Sequence, residues 1–360
     1  MRGGGAERVA TTIISDFARR GYEVDLVLLR AEGELLALLP PSVNLVDLEA
    51  DRIIKGLLPL IRYFRQRRPH AIQIRMWPLT AMGILARLLA QTKTRVVVSD
   101  HAAMSKQYGH QPATLRLLRA SVRLLYPLAD ARILVSSGAA DDLAKISGLP
   151  RVSFETIYNP IPRAPDVQTS PEIEALWGDC DGRIITAGSL KLQKNQALLI
   201  SAIALLRKRR RVRLVILGEG ELLGQLKAHA DREGVAGDVC FPGFSVDPTP
   251  YLASADLFVL SSDYEGFGNV LVEAMRLGVG VVSTNCESGP SEILGEGRFG
   301  GLVPCGDAPA LAEAMDRALR EPMDPARLKQ RAEELSGQPS IDRYLELMLG
   351  RPLAGTGAAG

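Results

Sequence analysis

An α/β fold of two Rossmann-like, doubly wound domains is predicted by three observations. The chain has 360 residues, more than one hydrophobic core usually serves, so two domains of roughly 150–180 residues are expected. Short β-branched runs alternate with longer helical stretches, most regularly after Gly182, as in repeated βαβ units around a parallel sheet. A Pro-rich stretch, Asn159-Pro-Ile-Pro-Arg-Ala-Pro165, reads as the linker between the halves.

In the second half, 183–187, 212–217, 256–260 and 279–283 are almost continuously apolar, the pattern of strands buried on both faces. Helices are expected between them, near 195–208, 221–233, 270–277 and 308–320. The first half alternates less regularly, with strands expected at 24–29, 71–75, 95–99 and 131–135, each preceded by a helix. The expected division is a first domain over 1–165, a second over 166–337, a C-terminal helix over 338–350 and a flexible tail over 351–360. A Rossmann-like sheet normally opens with a strand feeding a glycine-rich turn, whereas Met1-Arg-Gly-Gly-Gly5 begins at the turn. The first strand is therefore expected to be missing.

Composition limits the function. Hydrophobic content of 46% and charged content of 23% are those of a globular protein, and a net charge of +2 leaves no footprint for bulk nucleic-acid binding. Four cysteines without CxxC spacing suggest neither a zinc site nor a disulfide framework. No metal or cofactor site is discernible. The sequence has no apolar stretch of membrane-spanning length and no signal-peptide core, so a cytoplasmic location is expected.

The richest chemistry lies in Glu265-Gly-Phe-Gly-Asn-Val-Leu-Val-Glu273. It follows an expected strand and opens a helix, with Asn269 suited to the N-cap and Gly278 to the C-terminal stop. Unpaired N–H groups and the helix dipole make such a start an anion site, suited to a diphosphate. Glu273 can accept hydrogen bonds from a vicinal diol, and Glu265 can reach sugar hydroxyls or steady positive charge at an anomeric carbon. An isolated pair of acids near a helix start would more often only complement the dipole.

The whole string, two glutamates eight positions apart enclosing Gly-Phe-Gly and continuing in Glu-Ala-Met, closely resembles the signature of the family 4 retaining glycosyltransferases of GT-B fold. Further segments are similar in order and spacing: Gly3-Gly-Gly-Ala-Glu-Arg-Val9, Ile157-Tyr-Asn-Pro-Ile161, Gly188-Ser-Leu-Lys-Leu-Gln-Lys-Asn195, Leu217-Gly-Glu-Gly220, Phe241-Pro-Gly-Phe244 and Ser288-Gly-Pro-Ser-Glu-Ile293. The resemblance runs from about residue 3 to 350 and is most specific in the second half.

Several expectations follow from the resemblance. Two domains face each other across a cleft and close about the hinge near Asn159. A sugar passes with retention from a nucleotide diphosphate sugar, a UDP-sugar favoured over a GDP-sugar, to a hydroxyl of a glycan or lipid-linked acceptor in cell-surface polysaccharide or glycolipid synthesis. Glu273 holds the ribose and Glu265 lies near the donor sugar. Phe267, Gly268, Asn269 and Val270 meet the sugar or phosphates, and Lys194 in the Gly188 loop binds the diphosphate. Gly4 and Gly5 approach the diphosphate from the first domain, and His101, after the strand at 95–99, contacts the donor sugar. The family usually has Arg directly after the loop glycine. Here it is Ser189, so half of a cationic clamp is missing unless Lys191 compensates.

Two basic amphipathic segments, Ile53–Arg68 and the Arg116, Arg119, Arg123 series, could rest on anionic headgroups at the inner face of the membrane, or simply solvate their arginines while their leucines pack on the sheet. Two other activities fit the same architecture: a sugar-nucleotide epimerase, and a truncated, inactive nucleotide-sugar-binding protein.

Overall fold

The structure is a computed structural model that describes residues 4–162 and 167–353. Gly3, the expected domain boundary at 165/166 and most of the expected tail lie outside the described residues. The chain forms two compact units, Met1–Ile161 with Gly337–Gly360, and Pro162–Ser336.

The first unit runs α1 (Gly5–Arg19), β1 (Asp25–Leu28), β2 (Asn44–Asp47), α2 (Leu57–Arg67), β3 (Ala71–Arg75), α3 (Leu79–Ala90), β4 (Arg95–Asp100), α4 (Met104–Tyr108), α5 (Pro112–Leu125), β5 (Ala131–Leu134), α6 (Ser137–Ser147) and β6 (Glu155–Thr156). Strands β3-β4-β5-β6 form one parallel sheet, and β1 and β2 form a separate parallel pair. Among the described residues no strand precedes α1. Side chains alternate across β4 as the pleat requires. Val96 and Val98 enter a core with Ile84 of α3, Leu118 and Val122 of α5 and Leu143 of α6. Val97 faces the other way, toward Val9, Ile13 and Phe17 of α1.

The second unit runs α7 (Pro171–Ala175), β7 (Gly182–Ala187), α8 (Gln196–Leu206), β8 (Val212–Leu217), α9 (Leu223–Arg232), β9 (Val239–Gly243), α10 (Thr249–Ala253), β10 (Leu257–Leu260), α11 (Asn269–Leu277), β11 (Gly280–Thr284), α12 (Pro290–Leu294), β12 (Gly301–Val303), α13 (Ala308–Arg320) and α14 (Pro325–Leu335). The last helix, α15 (Gln338–Leu349), returns to the first unit, where Ile341, Tyr344 and Leu345 join α1 in its core. Arg343 pairs there with Glu155, and Arg20 with Asp342.

All neighbours in the second sheet are parallel, in the order β12-β11-β10-β7-β8-β9. Winding proceeds outward from β7 through β8 to β9, then restarts at β10 on the other side of β7. Helices α8 and α13 pack together on one face, with Leu199, Ile203, Leu311 and Met315 against Ile184, Leu214 and Val259. Helices α11 and α14 pack against each other elsewhere in the unit. In open α/β sheets such a reversal leaves a crevice beyond the carboxyl ends of the two strands, the usual place for a ligand.

Candidate active site

The loops that leave β7 and β10 meet at this reversal. After Ala187 the chain enters Gly188 at φ +154°, turns through a short 3₁₀ segment over Leu192–Lys194, and starts α8 with Asn195 as N-cap. Gly188 donates its N–H to Leu217 O at 2.9 Å. The next loop presses on it, since a Cβ on Gly218 would stand 2.0 Å from Gly188 O. Only glycine fits at that approach, where φ is also +140°.

After Leu260 comes a polar run that ties the two loops together. Asp263 N–H donates to Gln193 O at 2.9 Å, and Gln193 Nε2 donates to Tyr264 O at 2.8 Å. Asn195 Nδ2 donates to Asp263 Oδ1 at 2.9 Å, and Ser261 Oγ to Lys194 O at 2.9 Å. Within this frame Lys194 Nζ lies 2.6 Å from Glu265 Oε1, which also accepts from Ser262 Oγ at 2.6 Å. Glu265 is only 6% exposed. Its carboxylate is thus held by an ammonium and a hydroxyl in a place poorly reached by water.

Past Glu265, Phe267 is buried and Gly268, at φ +101°, is the N-cap of α11. The expectation of Asn269 as N-cap is corrected: Asn269 is the first helical residue, because Gly268 alone takes up the left-handed conformation that turns the chain into the helix. Glu273 is half-buried in the second turn, and Gly278 ends the helix at φ +80°. The loop after β11 closes over this turn. A Cβ on Gly289 would meet Phe267 O at 2.0 Å, and Ser288 Oγ donates to Glu265 O at 2.7 Å.

Gly188, Ser189, Lys194, Glu265, Phe267, Gly268, Asn269, Val270 and Glu273 are therefore gathered at one sheet edge of the second unit. Ser189 is exposed, and its carbonyl accepts from Gln196 Nε2 at 3.1 Å. Lys191 is exposed as well. Sequence reasoning missed Ser262, Ser288 and Gln193. The one signal was the Ser261-Ser262 pair ending an apolar strand.

Gly4, Gly5 and His101 belong to the first unit. Gly4 is the N-cap of α1 at φ −69°, and its N–H donates to Glu7 Oε2 at 2.9 Å. Neither φ nor crowding demands glycine at Gly4, and the acid that caps the helix is the chain's own Glu7. His101 follows β4, with Nε2 3.3 Å from Ser99 Oγ and a buried Nδ1 that has no partner. Burial, and then the positive charge of Arg75, hold its pKa well below the usual histidine value, so the ring is neutral near pH 7. Beside it, Asp100 is buried under Tyr126, whose hydroxyl donates to Oδ2 at 2.5 Å, and the Trp77 N–H, which donates to Oδ1 at 2.8 Å. Burial raises the Asp100 pKa to about 6 despite these bonds.

Comparison with known proteins agrees with this architecture. The profile described as Glycosyltransferase Family 4 matches residues 3–164, and that described as Glycosyl transferases group 1 matches residues 176–335. The N-acetylgalactosamine-N,N'-diacetylbacillosaminyl-diphospho-undecaprenol 4-alpha-N-acetylgalactosaminyltransferase of Campylobacter jejuni is 30% identical over 329 residues, covering 88% of this chain and 87% of the relative. The chain belongs to the family 4 glycosyltransferases. The lipopolysaccharide core biosynthesis glycosyltransferase LpsE of Rhizobium meliloti is 37% identical over 174 residues, 47% of this chain and 50% of that protein. Among solved structures, HepE of Anabaena in complex with UDP-glucose superposes with a TM-score of 0.81 at 20% identity, over 96% of each chain. The fold is thus GT-B and the protein a glycosyltransferase enzyme, with relatives in lipopolysaccharide and glycolipid synthesis.

Proposed function

We propose that this glycosyltransferase moves a sugar, with retention, from a nucleotide diphosphate sugar to a hydroxyl of a glycan or lipid-linked acceptor in cell-surface polysaccharide or glycolipid synthesis, a UDP-sugar being the favoured donor. The observation that carries the reading is the Lys194–Glu265 pair at the β7/β10 reversal. A lysine already beside a carboxylate at a helix entrance can turn to a diphosphate, a stronger and doubly charged acceptor, with little rearrangement. Amide groups opening α11 take further phosphate or sugar oxygens, and Glu273 takes the ribose diol.

In the transfer, the bond between the anomeric carbon and the diphosphate oxygen breaks and its electron pair leaves with the nucleoside diphosphate. The acceptor oxygen bonds to the same carbon on the face the diphosphate leaves, and its proton passes to the departing diphosphate oxygen. Lys194 and the α11 amides offset the charge gathering on the leaving group. Freed from Lys194, the Glu265 carboxylate faces the positive charge that develops on the sugar. His101, neutral, serves as a hydrogen-bonding partner of the donor sugar, and Gly4 and Gly5 as donor contacts from the first unit.

The test uses the purified chain, a panel of UDP- and GDP-sugars, and a polyprenyl-diphosphate-linked saccharide as acceptor. An α-linked product from an α-configured donor, read by the anomeric proton coupling, is expected. A β-linked product overturns retention; free or epimerised sugar formed without acceptor overturns transfer. Glu273→Ala should weaken UDP binding by roughly tenfold or more, the cost of losing charge-assisted hydrogen bonds, whereas unchanged calorimetric affinity would remove Glu273 from the donor site.

A further inference from the structure

Strands β11 and β12, on the side of the second sheet away from β9, deliver two cysteines to the edge that holds the candidate site. The strands are parallel neighbours, with Val282, Ser283 and Thr284 opposite Gly301, Leu302 and Val303. The ladder runs on past both, since Asn285 N–H donates to Val303 O at 2.6 Å. Cys286 and Cys305 each stand two residues beyond the last of these pairs and so occupy opposed positions. Adjacent strands lie about 4.8 Å apart, inside the roughly 4.4–6.8 Å between Cα atoms that a disulfide spans. Cys180 and Cys240 have no such relation, because β8 separates β7 from β9.

Both sulfurs lie beside the frame of Lys194 and Glu265. Thr284 Oγ1 donates to Ser262 O at 2.6 Å, and Cys305 Sγ stands 4.0 Å from the same oxygen. Ser262 Oγ in turn holds Glu265 Oε1. The Cys286 thiol is hydrogen-bonded with the Thr284 side chain and lies within the electrostatic reach of Glu265 and Cys305. Cys286 is 3% exposed, whereas Cys305 is open to solvent, and both are thiols. Burial, and then the negative charge of Glu265, pushes the Cys286 thiol up, so it stays protonated. An accessible thiol is thus set over a buried one, so that the first meets an oxidant and the second resolves the adduct. A metal ion is the other common use of paired thiols, but among the described residues no third ligand joins them.

We propose that Cys286 and Cys305 form a redox modification site that takes a small disulfide of the glutathione type and that, once joined to each other, weakens the donor site. The Cys305 thiolate attacks one sulfur of the oxidant, whose S–S bond breaks; the first small thiolate leaves and takes up a proton equivalent to the one Cys305 gave to water. The Cys286 sulfur then attacks the Cys305 sulfur of the mixed disulfide, and the second small thiolate departs with the Cys286 proton. Two protein thiols and one small disulfide become one protein disulfide and two small thiols. To bond with Cys305 the Cys286 sulfur must leave its place beside Thr284. The segment that carries it is the one that closes over the entrance of α11: Glu287 bridges to Tyr264, Ser288 Oγ donates to Glu265 O, and Gly289 packs on Phe267 O. Shifting that segment loosens the turn that presents Glu265 and Gly268. The effect on the donor rests on the proposed function; the disulfide does not.

The experiment equilibrates the full chain with glutathione and glutathione disulfide, blocks the remaining thiols and maps the cysteines by mass spectrometry after non-reducing digestion. A peptide pair joined through Cys286 and Cys305, lighter by two hydrogens and parted by dithiothreitol, is expected. In Cys286→Ala the reaction should stop with glutathione on Cys305. Cys305→Ser should give neither product and should melt like the wild type, since the side chain is exposed. Calorimetry should find UDP bound roughly fivefold more weakly by the oxidised protein, the worth of about one hydrogen bond. Dithiothreitol should restore the affinity, and the oxidant should not alter it in Cys305→Ser. Amide hydrogen exchange over residues 264–269 reads the same loosening without any ligand and should quicken on oxidation. Failure of the reduced protein to bind UDP would therefore count against the donor reading alone, and the exchange would still decide the inference. A wild-type chain that stops at glutathionylated Cys305, or that resists a large excess of glutathione disulfide, overturns the proposal. So does a disulfide that leaves the exchange at 264–269 unaltered.

Discussion

Lys194 Nζ and Glu265 Oε1 stand 2.6 Å apart at the point where the second sheet reverses its winding. Each partner is supplied by the loop after a different strand, and those strands, β7 and β10, are hydrogen-bonded neighbours. The pair is thus a consequence of topology: residues 71 apart in sequence meet because parallel neighbours release their loops at the same edge. Ser262, on the carboxylate, and Ser261, on the Lys194 carbonyl, keep both loops in register.

Removing one partner should expose how costly the other is. Lys194→Ala leaves a carboxylate that is 6% exposed with one hydroxyl as support, and breaking a buried ion pair costs about 3–5 kcal/mol. Urea denaturation should register a loss toward the lower end, because Ser262 remains. Lys194→Met/Glu265→Gln should recover most of that stability and none of the turnover. A double variant that regains activity would separate the pair from catalysis.

Ser189 offers a gain-of-function test. It is exposed directly after Gly188, where the family usually has arginine, so Ser189→Arg adds a cation without displacing packed atoms. A charge-assisted bond to a diphosphate should raise UDP affinity by roughly fivefold or more, with the gain shrinking as salt increases. Calorimetry on the two proteins measures it directly. Unchanged affinity at low salt would mean that the diphosphate does not come near this position.

Much of the second unit was legible because its strands are buried on both faces and read as apolar runs. Arg183–Ala187, Val212–Leu217 and Ala308–Arg320 fall within a residue of the observed elements. The edge strands β9 and β12 were not, for Pro242 interrupts one and the other has three residues, too few for any period to register. In the first unit β6 escaped because it has two residues, and β2 because three of its four residues are exposed and it carries no buried apolar run. At the site, Lys194 and Glu265 could be singled out one by one from glycine-rich loops after strands, but not as a pair. Their contact depends on β10 lying next to β7, and strand order is not written in local pattern. The leucines of α5 illustrate the same limit: periodicity gave the amphipathic helix, while only packing distinguishes Leu118, buried, from Leu117, exposed.

The close stacking of loops predicts a sharp steric effect at Gly218. A methyl group there would stand 2.0 Å from Gly188 O at a φ of +140°, so the backbone must move and Gly188 with it. Gly218→Ala should destabilise the second unit by about 2–4 kcal/mol, in the range of steric and backbone strain at a special conformation. It should also weaken UDP binding, because Lys194 hangs from the displaced loop. Gly224, with no atom near its would-be Cβ, is the control: Gly224→Ala should leave both melting temperature and affinity unchanged or slightly improved.

Asp100 predicts a pH dependence of stability with a definite sign. Its pKa rises from the ordinary 3.8 to about 6 in the folded protein, chiefly through burial, opposed by the bonds from Tyr126 and the Trp77 N–H. The folded state therefore keeps a proton that the unfolded chain releases. Below the ordinary value both states hold the proton and the group has no effect. From there up to about 6 the unfolded chain gains by ionising, so stability falls as pH rises, and it levels off above. A shift of this size corresponds to at most about 3 kcal/mol. Asp100→Asn keeps an oxygen for the Trp77 N–H and carries no charge at any pH, so its denaturation midpoint should lack this fall. The decisive quantity is the difference between the two proteins across the acid range, in which other titrating groups cancel. A difference that stays flat, or that grows in the opposite direction, would mean that Asp100 is ionised in the fold and that the Tyr126 hydroxyl and Trp77 amide suffice to hold its charge.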